Sequence, residues 1–78
     1  MTANEKIIAL VKPEYMAKIP RLIRGHATKG TCNLIAREFP EAYAEAEKEG
    51  ELSAEAKEAL TIIVNDIFEE RMKKHNML

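Results

Sequence analysis

The strongest constraint on this chain is the stretch from Ser53 to Lys74. Ser53 suits a helix N-cap, and no glycine or proline interrupts the run that follows. The run ends in Arg71, Lys73 and Lys74, cations placed where a helix dipole favours them. At 100° per residue, Ala56, Ala59, Leu60, Ile63, Val64, Ile67, Phe68 and Met72 spread over about 220° of this helix. A helix lying on a protein surface needs a stripe of only about 100°. The segment is therefore predicted to be central, with the rest of the chain wrapped on it. Ile62 falls outside the stripe, among Glu55, Glu58 and Glu69, and reads either as a lone exposed side chain or as a subunit contact.

Pro13, Pro20 and Pro40 cut the remainder into short helices, since proline starts a helix readily and cannot continue one. Thr2 and Glu5 have capping-box spacing, followed by an apolar stripe of Ile7, Ile8, Leu10 and Val11. Tyr15, Met16 and Ile19 form the apolar side of a second helix, and Arg21 to Arg24 makes a short third turn. Gly25-His26-Ala27-Thr28-Lys29-Gly30-Thr31 reads as a loop, with Thr28 or Thr31 capping a helix that runs to Phe39. Glu41 to Glu49 follows Pro40 as the next helix, and Gly50 stops it. Nothing alternates with a period of two, and no hairpin dipeptide or internal repeat occurs. The expected architecture is all-α: a compact bundle of four to five short helices wrapped on a long C-terminal helix, in one domain spanning 1–78. A chain of 78 residues with only two Phe, two Tyr and no Trp builds a thin core, which points to a homo-oligomer, most simply a dimer.

The composition, 46% hydrophobic and 32% charged with three Gly and three Pro, excludes a disordered tail or a low-complexity linker. No apolar run approaches the roughly 20 residues that span a bilayer, so no membrane role is expected. The N-terminus does not read as a secretory leader. A single cysteine, Cys32, rules out an internal disulfide and fits a cytoplasmic setting. The formal charge of −1 conceals segregation. From Lys12 to Arg37 six basic residues oppose Glu14, whereas from Glu38 to Glu70 eleven acids oppose Lys48 and Lys57.

Gly25 and Gly30 have the spacing of a nucleotide-binding glycine loop, but Thr31 stands where lysine is required and no strand precedes, so an NTPase is excluded. A glycine loop opening a helix still offers free amides and the positive end of a dipole to an anion. Lys18, Arg21, Arg24, His26, Thr28, Lys29, Gly30, Thr31 and Arg37 are the candidate phosphate-binding residues. A DNA-reading helix-turn-helix over Leu34 to Glu49 is disfavoured, because its second helix carries four glutamates. Glu41, Glu45 and Glu49 form an i, i+4, i+8 acidic stripe that, with Ile62, is the candidate protein interface. A straight stripe does not make a hard-cation site, and Cys32, His26 and His75 lack zinc spacing. Cys32 with His26 lacks the third group that would orient a catalytic pair.

These residues predict a small non-enzymatic regulatory binding protein, with no cofactor and no metal. It is expected to engage a phosphate-bearing ligand, nucleic acid or nucleotide, through the basic 18–37 region. The other reading is an inhibitor, adaptor or antitoxin-like module that binds a target protein through the acidic helix 41–49.

Overall fold

The computed structural model describes residues 1–76, and within them the chain is all-helical. Five helices follow in order: α1 (Ala3–Ile8), α2 (Pro13–Lys18), α3 (Arg21–Glu38), α4 (Pro40–Glu47) and α5 (Ala54–Lys74). The start signals act as their chemistry requires. The Thr2 amide donates to Glu5 Oε1 at 2.9 Å and the Glu5 amide donates to Thr2 Oγ1 at 3.1 Å, closing the capping box. The Ser53 hydroxyl accepts from the Ala56 amide at 3.1 Å. Pro13 and Pro40 each open a helix.

Two local expectations are overturned. Residues 25–31 are not a loop: α3 runs for 18 residues through both glycines. Each glycine costs a helix about 1 kcal/mol relative to alanine, and burial of Thr31, Cys32 and Ile35 offsets that cost. The threonines do not cap. Thr28 Oγ1 donates back to the Gly25 carbonyl at 3.0 Å and Thr31 Oγ1 to the Ala27 carbonyl at 2.9 Å, the bonding pattern of mid-helix threonine. The second correction concerns α4, which ends at Glu47. Lys48 is already extended, and Gly50 turns the chain with φ +84°, in the left-handed region glycine tolerates best.

On α5 the buried side chains are Ala56, Leu60, Val64, Asn65, Phe68 and Met72, largely one ridge at i+4 spacing. Ala59 is exposed, and Ile63 and Ile67 sit half-buried at the edge, so the sunk face is narrower than the sequence implies. Ile7 from α1, Val11, Ile19, Cys32 and Ile35 from α3, and Ala46 from α4 complete the core. The six-residue α1 packs on α3, α4 and α5 together, so a short element occupies the middle of the molecule. Tyr43 donates to Asn4 Oδ1 at 2.6 Å and ties α4 to α1.

Asn65 is the one buried amide on α5, 7% exposed. Its Oδ1 accepts from the Lys12 amide at 2.8 Å, and its Nδ2 donates to the Leu10 carbonyl at 3.0 Å and the Thr61 carbonyl at 2.8 Å. It thereby holds both sides of the α1–α2 connection. Asn65→Leu strands the Lys12 N–H and the Leu10 C=O, and each buried group left unpaired costs about 1–3 kcal/mol. Urea titration should show a loss of about 2–4 kcal/mol for that variant. Leu60→Ala should cost about 2–5 kcal/mol, and Ile62→Ala less than about 0.5 kcal/mol. Equal losses at Leu60 and Ile62 would mean that α5 presents a different face to the core.

Candidate functional site

The continuous α3 redistributes the basic residues. Lys18 and Arg21 flank the α2–α3 junction, and Arg37 lies near the other end of α3, about 24 Å further along the helix axis at 1.5 Å per residue. Arg24 is half-buried, and its Nη2 donates to the Ile19 carbonyl at 2.9 Å, which braces the junction; its Nε is buried without a partner. Lys29 is exposed mid-helix. Thr31 is 1% exposed with its hydroxyl bonded internally, and the helix start that would have offered free amides at Gly30 and Thr31 does not exist.

His26, Gly30 and Thr31 do come together, on a cleft between α3 and the last turns of α5. Its volume is about 320 Å³. Ile23, Ala27 and Gly30 of α3 line it together with Ile19, Phe68 and Met72, the last three being almost fully buried. Arg71 and His75 complete it from α5, and the Arg71 guanidinium lies so close to α3 that a Cβ on Gly30 would sit 3.5 Å from Nη1. Arg71 and His75 escaped the sequence reading. The signal was present: 23, 26, 27 and 30 share one helical face, as do 68, 71, 72 and 75. Reading 25–31 as a loop hid the first of those faces.

Charge follows the same geometry. Arg71, in the basic last turn of α5, lies beside the stretch of α3 that follows Arg21 and Arg24, while Glu55 opens α5 just after the acidic turn that follows α4. Among the described residues only two ion pairs form, Lys48–Glu45 at 2.6 Å and Lys73–Glu69 at 3.0 Å. Glu45 is thus partly neutralised, Glu41 is exposed, and Glu49 lies in the turn after α4, so the three acids do not share one helical stripe. Ile62 is 57% exposed, and Leu22 and Ile23 also face solvent.

Cys32 is buried, its Sγ 4.0 Å from the Asn4 carbonyl, and burial pushes its thiol above the ordinary range. It faces α1 while His26 faces α5, so they form no pair. Among the described residues no three His, Cys, Asp or Glu side chains converge as a metal site would need, and no helix is long and apolar enough to cross a membrane. No protein-family model, curated protein or solved structure matches this chain.

The Glu69 carboxyl is held below its ordinary range, first by the hydrogen bond and charge of Lys73 and then by the Tyr15 hydroxyl, which donates at 3.3 Å; Lys73 is raised in return. A depressed carboxyl contributes stability above its unfolded value, about 4.3, and loses it as pH falls through the lower folded value. The raised Lys73 contributes below about 10.4 and loses that as pH climbs through its folded value. The stability gap between the native chain and Glu69→Gln should therefore be open at pH 7 and close as pH drops below about 4. A gap unchanged at pH 2 would assign Glu69 a packing role instead. Cys32 should react with thiol reagents at the rate of global unfolding, measured by the denaturant dependence of labelling.

Proposed function

We propose that this chain is a small regulatory binding protein, without catalytic chemistry of its own, that engages a phosphate-bearing ligand, nucleic acid or nucleotide, at its basic end. The observation that carries the reading is the seat of Arg71 against Gly30, which adds its guanidinium to the exposed Arg21 and Lys29 of the same helix. A second feature supports it. The first turn of α3 holds Arg21 and Arg24, has no acid and has no side-chain cap, although a helix N-terminus favours negative charge. Cations kept where the local rule disfavours them are expected at binding sites, where a bound anion restores the balance.

The test compares two charge reversals of equal size. Lys29→Glu at the basic end should weaken binding of short oligonucleotides or common nucleotides, and binding by the native chain should fall steeply with added salt. Lys57→Glu, exposed at the acidic end, should change affinity far less. Equal losses, or no binding by the native chain, would sink the reading in favour of a protein partner for the acidic segment around Glu41, Glu45 and Glu49.

Assembly as a homo-oligomer belongs to the same proposal. A two-fold dimer that covers the exposed Ile62 is the simplest form. Sedimentation at high micromolar concentration should give a dimer, and Ile62→Glu should give a monomer of unchanged helicity.

A further inference from the structure

The cleft between α3 and α5 is unlike the rest of the basic end, because its walls are apolar. Ile19, Phe68 and Met72 form its floor with only 2–4% of their surface exposed, and Ile23, 45% exposed, is its open wall, beside the small Ala27 and Gly30 of α3. Larger residues at those two positions would fill it. At roughly 30 Å³ per water-sized group, the 320 Å³ of this open cleft has room for a ligand of no more than about ten such groups. Nucleic-acid backbone is too polar to gain from such walls, so the basic-end reading does not account for them.

The mouth of the cleft carries the opposite chemistry. Arg71 reaches across it toward α3, and among the described residues its guanidinium has no carboxylate partner. A guanidinium presents paired N–H donors that match a planar carboxylate. His26 and His75 stand on either side, each with at least one ring N–H. An apolar lining beneath a cationic fork that has no carboxylate partner among the described residues complements a ligand with an apolar body and one negative group. We infer that the α3–α5 cleft is a binding site for a small anionic amphiphile, a carboxylate on an aliphatic or aromatic body of about ten non-hydrogen atoms. The site shares Arg71 with the polyanion reading, but its apolar lining does not depend on that reading.

Octanoate, octan-1-ol and octylammonium share one tail and differ in the head, so titration of the native chain with each separates the walls from the mouth. Calorimetry should show octanoate binding at least about tenfold tighter than octanol, and octylammonium weakest, since electrostatic complementarity discriminates where the apolar contact is common to all three. Amide chemical-shift changes should centre on Ile23, Ala27, Phe68 and Met72. Arg71→Gln should bring octanoate to the octanol level and leave octanol unchanged. Ile23→Asn, at a partly exposed wall, should weaken both ligands and leave oligonucleotide binding intact, which separates this site from the polyanion reading. Octanol binding as well as octanoate, indifference of octanoate to Arg71→Gln, or shifts centred on Ile62 or Phe39 would overturn the assignment. So would a concentration-dependent dimer that shifts the same cleft amides without any ligand, because a second copy would then be the occupant.

Discussion

Everything in this fold is arranged around the break that Pro13 imposes. Proline drives the residue before it to extended backbone, and Lys12 adopts ψ 131° accordingly. The helix that starts at Ala3 cannot carry through, so the Lys12 N–H and the Leu10 C=O lose their helical partners. Val11, between them, is nonetheless buried in the core. A single amide resolves the conflict. Asn65 accepts from Lys12 and donates to Leu10, so both groups are satisfied by one side chain from the middle of α5. Because α1 lies between α3, α4 and α5, fixing the exit of α1 also fixes the floor on which the other helices rest.

Charge adds a second level of order. In α5 the acids at the start and the cations at the end both agree with the helix dipole, and the same placement polarises the molecule. In α3 the cations at the start oppose it. One distribution of charge thus stabilises one helix at the expense of another, and the strained end is the one where α3 and the last turn of α5 meet. Salt screens such effects within about 8–10 Å at ordinary ionic strength, so the polarity matters most to a highly charged partner at close range.

The all-helical fold, the three proline boundaries and both capped helices were legible because each rests on a residue whose chemistry acts locally. Thr2, Ser53, Pro13 and Pro40 need no distant neighbour to do their work. Gly25 and Gly30 misled because their preference for irregular backbone is weak, and packing of Thr31, Cys32 and Ile35 on other helices outweighs it. The same error displaced the site: the candidate cations of α3 were named, but the cleft needed His26 and Gly30 on one helical face. Arg71 and His75 were hidden for a different reason. At the end of α5 they look like ordinary dipole-complementing residues, and only the docking of α5 on α3 turns Arg71 toward a cleft. Asn65 was equally opaque, since nothing near it in sequence announces that Lys12 and Leu10 will need a partner.

The Asn65 clamp also orders events in time. Its partners Leu10 and Lys12 lie more than fifty residues upstream, so the elements it joins leave the ribosome in the wrong order for early folding. Helices α1 to α4 emerge first, with Ile7, Val11 and Ile35 lacking the α5 ridge that covers them in the finished molecule. At the usual rate of about 5–20 residues per second, the nascent chain spends seconds with that surface bare. A short helix such as α1 has little stability in isolation. Productive collapse therefore waits for α5 to emerge, and during translation this chain presents itself to chaperones as an unfinished bundle.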